Sequence, residues 1–411
     1  MRSGRVLRYA GALGTSALLL GQAHAWATGV AAASSTALYV AAGGSSGNTD
    51  TSCATAAYTT ITSAVDAAQA GATVVVCAGT YAEDVVLPKA LTLAGQGATI
   101  DATGLDNGVT ITASAVTVEG FTVENATGEG ILAHAIPIPG PVVNGQQLFT
   151  GHSLTRVVIK HNVVEHNDLG TPTSSYKECQ PQGQVPGDCG EGIHLMGVAD
   201  SDVLINTVTD NSGGILLTDE FGPTHGNLIA GNIVSDNAAD CGITLASHNL
   251  GRNPTTAALM PAFGGVYGNV VRDDIVVDNG LQGAGSGIGI FAPFPGAAAY
   301  DNLVEGNTTV GNGQSGISLH SHAPGAWIGG NRIVDNLVGP NNLVGDSDAT
   351  PPDTATTGIL VWSAASPVGI TIAGNTVFDD WYGIWLSATV RAPGAAHSNT
   401  FLADSTHVHV A

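Results

Sequence analysis

Basic residues are scarce in this sequence. The chain has 11 Lys and Arg against 33 Asp and Glu over 411 residues, for a formal net charge of −22. Nucleic acids and anionic membrane surfaces bind proteins through basic patches. We therefore expect neither as a partner, and we interpret the acidic composition as that of a soluble exported protein.

Long apolar runs are missing after the N-terminal segment. There, Arg2, Arg5 and Arg8 precede the apolar stretch GALGTSALLL, and AHA at 23–25 has the small-x-small pattern of a cleavage site. We expect residues 1–25 to be a Sec-type signal peptide, residues 26–36 a short N-terminal segment, and the protein to be secreted or periplasmic without a membrane span. Loss of the three arginines would take the net charge from −22 to about −25.

Cysteine is rare as well, with five residues in the chain. Cys53 and Cys77 flank the first predicted helix, and Cys179 and Cys189 bracket a loop. In an oxidising compartment each pair is predicted to form a disulfide. Cys241 is left over, directly before a Gly-Ile strand, and we predict a buried free thiol there.

Helical periodicity is absent from most of the chain, and a Gly-Ile repeat takes its place. Segments such as GNLIAGNIVSDN (226–237) and DNLVEGNTTVGN (301–312) precede it, and they consist of short β-branched runs interrupted by Gly-Asn or Asp-Asn. One such coil cannot bury its own apolar side chains, whereas stacked coils can. We expect asparagine at the corners to adopt left-handed backbone and to bond to the next coil. The repeated isoleucines are Ile131, Ile193, Ile215, Ile243, Ile288, Ile317, Ile359 and Ile384.

The start of the repeat resembles a known family. The segment YTTITSAVDAAQAGATVVVCAGTYAEDVVLPKALTLAGQGATID (58–101) is similar to the entry of pectin-lyase-like right-handed parallel β-helices, and the Gly-Ile and Gly-Asn repeats look most like NosD-like proteins. The resemblance implies an all-β fold, a single-stranded right-handed parallel β-helix over residues 37–411. It also implies a short N-terminal helix at about 61–70 that caps the open end of the solenoid.

Polar and aromatic residues recur at matching positions of the Gly-Ile strands. Side chains alternate in and out along a strand, and equivalent positions of successive coils stack about 4.8 Å apart. We expect the residues one, three and five places after each isoleucine to point to solvent. They mix histidine with large apolar residues, so we interpret this face as a groove, with walls from insertions at about 135–155, 169–190, 249–264 and 338–356.

Candidate site residues follow from these positions. Glu220 and His248 fall at one position on neighbouring coils, where a carboxylate can orient an imidazole for acid/base chemistry; the alternative is a surface ion pair of little consequence. Aromatic rings on the same face suit stacking on sugars. The predicted catalytic residues are Glu220, His248 and His320, and the predicted substrate-binding residues are His194, Glu191, Phe291, Trp362 and Trp385.

A metal site is a further hypothesis. His320 and His322 lie two residues apart on one strand face, a spacing at which two imidazoles can share one divalent ion. Glu220, His248 or a loop carboxylate would be the third ligand. The alternative is two ordinary histidines.

Family signatures of known activities are missing. The outward positions hold no Lys or Arg for a uronic-acid lyase, the polygalacturonase residues are absent, and so is the Asp-Pro-His-Asp motif of alginate epimerases. Two functions stay open. One is an exported protein that binds an extracellular polysaccharide and acts on it as a lyase, hydrolase or epimerase. The other is a non-catalytic β-helix, NosD-like, that binds a glycan, a metal or a protein.

Overall fold

Short parallel strands stacked coil on coil build this protein. The computed structural model describes residues 37–44, 49–143, 145–167, 191–260, 263–283, 285–346, 356–364 and 367–411. The predicted signal peptide, the insertion at 169–190 and the predicted Cys179–Cys189 disulfide lie outside the described residues. None of the described helices is long and apolar enough to cross a bilayer.

Three parallel sheets run along the described part of the solenoid. The long sheet has 19 strands: Ala37–Val40, Thr73–Tyr81, Thr92–Asp101, Thr117–Glu124, Val158–Lys160, Val163–Glu165, Asp202–Leu204, Thr207–Thr209, Leu228–Ala230, Ile233–Ser235, Val270–Arg272, Ile275–Val277, Leu303–Glu305, Thr308–Val310, Arg332–Val334, Leu337–Val338, Thr371–Ala373, Thr376–Phe378 and Thr400–Leu402. The Gly-Ile sheet has 11: Val85–Leu87, Val109–Ile111, Ile131–His134, Glu191–Met196, Gly213–Thr218, Ile243–Ala246, Ile288–Ala292, Ile317–Ser321, Thr357–Ser363, Tyr382–Leu386 and Thr406–Val410. The short sheet has five: Leu154–Thr155, Val198–Ala199, Thr224–His225, Val266–Tyr267 and Ala299–Tyr300.

The remaining described elements are few. Val368–Gly369 pairs in parallel with Val390–Arg391, and Pro139–Val143 forms an antiparallel hairpin with Gln146–Phe149. A 3-10 helix spans Cys53–Thr55. This arrangement is a parallel β-helix, so the predicted fold class is confirmed.

The core follows from the strand register. The repeated isoleucines stand opposite one another on successive coils, from Ile131 through Ile384. Each is at most 1% exposed, so the column fills the inside of the solenoid. Burial of such side chains contributes roughly 1.5–3 kcal/mol apiece.

An α-helix at Ile61–Ala67 covers the first coils, as predicted. Ile61, Ala64 and Val65 are its buried residues. The side chain of Thr60 accepts a hydrogen bond from the Ser63 N–H, and the Glu83 carboxylate accepts one from the Ile61 N–H at 2.7 Å. These contacts satisfy N–H groups that the first helical turn leaves unpaired.

Buried amide ladders hold the coils in register. In each ladder a side-chain Oδ1 accepts from the backbone N–H of the equivalent residue on the preceding coil, at 2.7–3.2 Å. Most ladder amides also donate Nδ2–H to the next ladder residue and to a backbone carbonyl. The first ladder is Asn162, Asn206, Asn232, Asp274, Asn307, Asn336, Asn375 and Asn399; the second is Asn167, Asn211, Asn237, Asn279, Asn312, Asn341, Asp380 and Asp404; the third is Ser201, Asn227, Asn269, Asn302 and Asn331.

One detail of the predicted corners is wrong. The ladder asparagines bond to the next coil as expected, but the left-handed residue is the one before them. Gly231 (φ 68°) precedes Asn232, and Asp301 (φ 54°) precedes Asn302. A glycine or aspartate makes the turn at most corners, while His161 and Ile205 do so before Asn162 and Asn206.

The cysteines bear out two predictions. Cys53 and Cys77 form a disulfide with Cα atoms 5.7 Å apart, which ties the 3-10 helix to the second strand of the long sheet. Cys241 is a buried free thiol that accepts a hydrogen bond from the Ser286 N–H at 3.1 Å. Burial raises the pKa of the Cys241 thiol, so it stays protonated.

An aspartate takes the place of an asparagine at Asp274. Its Oδ1 accepts from the N–H and Nδ2–H of Asn232, as a ladder amide would. Its Oδ2 has no hydrogen-bond partner, although the corresponding atom elsewhere in the ladder is a donating nitrogen. Burial raises the pKa of Asp274 to about 7. A protonated Oδ2 donates as the amide does, so the ladder favours the neutral acid.

We predict that Asp274→Asn stabilises the protein, by at most about 4 kcal/mol. The folded pKa lies above the unfolded value, so the wild type loses stability as pH rises from about 4 to 7. The gain from Asn should therefore grow across that window and level off above it. Denaturant midpoints at pH 4.5, 6 and 8 measure this. Asp273→Asn, which removes the same charge from the exposed neighbour, is the control; equal pH profiles for both variants would contradict the prediction.

Candidate functional site

Equivalent positions of the Gly-Ile strands align as predicted, but many of them are buried. His194 stands between Leu132 and Leu216, and His320 between Phe291 and Trp362. The expectation that the position directly after the isoleucine faces solvent is wrong, since His194 is only 2% exposed.

Larger side chains cover this position. The ring of Phe291 lies over Gly289, where a Cβ would meet the ring at 2.3 Å. At the C-terminal end, Leu360 and Trp385 form an apolar cluster with Trp362 and Tyr382. Trp385 is 3% exposed, so its predicted stacking on a sugar is wrong. Phe291 and Trp362 are half-buried and keep part of their surface open.

Asp219 anchors a loop beside the Gly-Ile sheet. Its Oδ1 accepts from the backbone N–H groups of His248 at 2.6 Å and Asn249 at 2.9 Å. Its Oδ2 accepts from the Ser247 hydroxyl and from the Gly265 N–H. The side chain is fully buried, and burial together with the charge of Glu220 raises the pKa of Asp219 to about 6. Both ends of the insertion at about 249–264 are therefore held by one carboxylate.

Glu220, the next residue, pairs with His248. Its Oε1 lies 2.5 Å from Nδ1 of the imidazole, and the two side chains are 16% and 6% exposed. Burial raises the pKa of Glu220, but the charge and hydrogen bond of His248 more than offset it, and the pKa falls to about 2. The predicted pairing of these residues is thus present, and it is too buried to be an ordinary surface ion pair.

Phe221, the third consecutive residue, contacts a hairpin. Its ring meets those of His134 and Phe149 edge-on, at centroid distances of 5.8 and 5.6 Å. The backbones are close here too, since a Cβ at Gly222 would meet the Gly151 carbonyl oxygen at 2.7 Å. The hairpin of the insertion at 135–155 therefore stands next to the Glu220–His248 pair.

A chain of hydrogen bonds continues beneath this pair. Thr218 bonds to Glu220 and lowers its pKa further. The Thr218 hydroxyl lies 2.8 Å from Nε2 of His194, and Nδ1 of His194 lies 3.0 Å from Oε1 of Glu129. Polar side chains on four successive coils, from Glu129 to His248, are linked in this way.

Glu129 is a site residue that the sequence analysis missed. It precedes Gly130-Ile131 as Glu191 precedes Gly192-Ile193, so a repeated Glu-Gly-Ile was the available signal. Glu129 is 1% exposed and Glu191 2% exposed. Glu191 and His194 are therefore not surface contacts for a substrate, and that interpretation is corrected. Both belong to a buried polar group with Glu129.

His320 and His322 lie next to each other on one strand face. Two coils separate His322 from His248 at the same strand position, or about 9.6 Å along the solenoid, and among the described residues neither belongs to a group of three potential ligands with donor atoms within 4.8 Å of one another. The Nε2 of His320 lies 3.3 Å from Oδ2 of Asp346, and its Nδ1 3.4 Å from Nε2 of His322. His320 is 2% exposed, among the rings of Phe291, His322 and Trp362. Its catalytic role stays a prediction.

Comparisons with known proteins identify the family. The sequence model of NosD, described as "Periplasmic copper-binding protein (NosD)", matches residues 127–338. The chain belongs to the NosD family. This family is described as periplasmic, in agreement with the disulfide between Cys53 and Cys77. No curated protein matches the chain.

Two solved structures share the NosD-family fold of this chain. The A-modules of the Azotobacter vinelandii mannuronan C-5 epimerases AlgE4 and AlgE6 each align with a TM-score of 0.52 and 16% identity. Each match covers 85% of this chain, and 92% and 90% of the two modules, respectively. At this identity the likeness shows a common β-helix fold.

The NosD description raises the question of copper. Among the described residues, Glu129, Glu191 and His194 are the group of potential ligands whose donor atoms all lie within 4.8 Å of one another. Copper(I) prefers thiolate and thioether sulfur. This group offers two carboxylates and an imidazole, and the protonated Cys241 stands two coils beyond Glu191 at the same strand position. The residues present do not fit copper(I).

We predict that Asp219→Ala frees the loop that Asp219 anchors. The substitution leaves the N–H groups of His248, Asn249 and Gly265 without their acceptor, at a cost of roughly 1–3 kcal/mol each. Hydrogen exchange at these three amides should accelerate, while exchange in the long sheet stays unchanged. Asp202→Ala, on the outer face of the long sheet, is the control. Unchanged protection at all three amides would show that Asp219 does not hold the loop.

Proposed function

We propose that this NosD-family protein is exported, binds an extracellular polysaccharide along the Gly-Ile sheet and acts on it through Glu220 and His248. The observation that carries the proposal is the 2.5 Å contact between Glu220 Oε1 and His248 Nδ1. The pair stands between a hairpin held by Phe221 and a loop held by Asp219. Three consecutive residues thus position two insertions and one proton-transfer pair.

The roles of the two residues follow from their environment. Glu220 is ionised at every pH at which the protein would work, because its pKa is about 2. It therefore orients the imidazole and stabilises its charged form, rather than exchanging protons itself. His248 transfers the proton to or from the sugar. Proton transfer of this kind is common to a lyase, a hydrolase and an epimerase.

The substrate class is argued from shape and charge. Stacked coils form a long straight surface, which suits an extended polymer, and the half-buried rings of Phe291 and Trp362 offer apolar planes for sugar rings. The low content of basic residues favours a neutral glycan, or an acidic one bridged by a cation. Two proteins with this fold are named for epimerisation of mannuronan, and polysaccharides are therefore the class to test first.

A non-catalytic binding module is the second candidate. The observation that favours it is the buried group of Glu129, Glu191 and His194, together with a family described as metal-binding. In such a module the Glu220–His248 pair would hold the two insertions in place. Binding of a glycan or metal without turnover would then be the whole function.

We predict that His248→Ala lowers polysaccharide turnover by about 10²–10⁴-fold, the usual effect of losing a general acid or base. A panel of polysaccharides with detection of new reducing ends, unsaturated sugars and epimerised residues would find the substrate. His397→Ala, which removes an exposed imidazole far along the chain, is the control.

The same panel separates binding from catalysis. Trp362→Ala should weaken polysaccharide binding several-fold while kcat changes little, because the ring contacts the polymer away from the proton transfer. Binding without products from any polysaccharide would reject the enzyme and favour the binding module. Neither binding nor products would reject a polysaccharide as the ligand.

A further inference from the structure

We propose that Glu129, Glu191 and His194 form a binding site for one divalent cation with nitrogen and oxygen ligands, of which Zn²⁺ is the representative. The site is connected to the Glu220–His248 pair only through Thr218, and its test does not require the polysaccharide function proposed above. It also differs in chemistry from a copper(I) site, because it contains no sulfur ligand.

The strand register brings the three side chains together. Glu129 and Glu191 stand two residues before the aligned Ile131 and Ile193 on adjacent coils. The Glu191 N–H donates to Oε2 of Glu129 at 2.9 Å, which turns that carboxylate toward the second coil. The Nδ1 of His194 reaches Oε1 of the same carboxylate at 3.0 Å. Neighbouring ligand atoms of one tetrahedral zinc ion lie about 3.4 Å apart, as expected from bonds of about 2.1 Å.

Gly213 provides the space for the second carboxylate. It is aligned with Glu191 on the next coil, and a Cβ there would lie 3.1 Å from both Cγ and Oε1 of Glu191. The backbone of Gly213 does not have a positive φ, so its conformation does not require glycine. Because Gly213 has no side chain, the Glu191 carboxylate has room to lie beside Glu129 and His194.

Charge and chemistry favour a divalent ion. Two carboxylates at most 2% exposed lose their hydration and repel each other. A divalent cation between them offsets both effects, and a neutral imidazole supplies a third ligand without adding charge. Carboxylate and imidazole ligands suit Zn²⁺, Mn²⁺ and Cu²⁺, whereas copper(I) prefers softer sulfur donors.

The contacts around His194 fix its ring for this role. Nε2 lies 2.8 Å from the Thr218 hydroxyl. With an ion on Nδ1, the ring proton is on Nε2 and is donated to Thr218, whose own proton then points to Glu220. Metal-bound histidines usually have their second nitrogen engaged in this way, and such contacts tune affinity by 10–100-fold. The ion would therefore set the hydrogen-bond direction toward the Glu220–His248 pair.

Metal binding to the purified full-length protein tests the proposal. After treatment with a chelator, calorimetric titration should show one equivalent of Zn²⁺, with a higher melting temperature in the bound form. Glu191→Gln and Glu129→Gln keep the side-chain size and should each weaken Zn²⁺ binding at least tenfold. Gly213→Ala should weaken it by displacing the Glu191 carboxylate. Glu305→Gln, on the long sheet, is the control.

One further variant and a second ion make the result decisive. The double variant His320→Ala and His322→Ala should retain the Zn²⁺ equivalent. Loss of the ion in that double variant, with normal binding in Glu191→Gln, would overturn the proposal and give the ion to the histidine pair. Absence of Zn²⁺ binding to the wild type, or tighter binding of Cu⁺ than of Zn²⁺, would also overturn it. Circular dichroism of each variant excludes misfolding as the cause of lost binding.

Discussion

Coil-to-coil register is the constraint on which the rest of this structure depends. A parallel β-helix has no turn that fixes the pairing of successive strands, and a slip by one residue would exchange inward and outward side chains. The amide ladders prevent this slip, because each buried Oδ1 accepts only when the equivalent residue stands directly before it. An unpaired buried amide would cost roughly 1–3 kcal/mol, so the register is enforced at every coil.

The candidate sites are consequences of that register. Glu129 meets His194, and Glu220 meets His248, because their positions on the strand repeat coincide on adjacent coils. A solenoid in register converts positions far apart in sequence into neighbours about 4.8 Å apart. The chain from Glu129 to His248 spans more than a hundred residues, yet it occupies four successive strands of one sheet.

The Asp219-Glu220-Phe221 segment shows how a regular scaffold carries an irregular site. It lies directly after the strand Gly213–Thr218, where the repeat ends and side chains no longer alternate strictly. Asp219 holds a loop, Glu220 holds an imidazole, and Phe221 holds a hairpin. Asp219 and Phe221 thus position the two insertions on the scaffold. Glu220, which lies between them, provides the carboxylate of the polar pair with His248.

The sequence by itself determined the fold, the capping helix, the Cys53–Cys77 disulfide, the buried Cys241 and the alignment of the Gly-Ile positions. These features depend on local periodicity and on a repeat whose copies stack in one way only. The pairing of Glu220 with His248 was predictable for the same reason, since both lie five residues after an aligned isoleucine. Glu129 was equally accessible through its Glu-Gly-Ile motif, but it was overlooked.

Only the tertiary structure decided which outward positions are exposed. Alternation along a strand says that His194, Trp385 and His320 point away from the core, but it does not say what lies over them. Rings on the same strand or on adjacent coils cover these positions, as Phe291 does at Gly289 on its own strand, and as Phe291 and Trp362 do at His320. Burial turned two predicted substrate contacts, Glu191 and His194, into members of a polar cluster. Such coverage depends on side-chain rotamers and on contacts between adjacent coils, which a strand pattern does not contain.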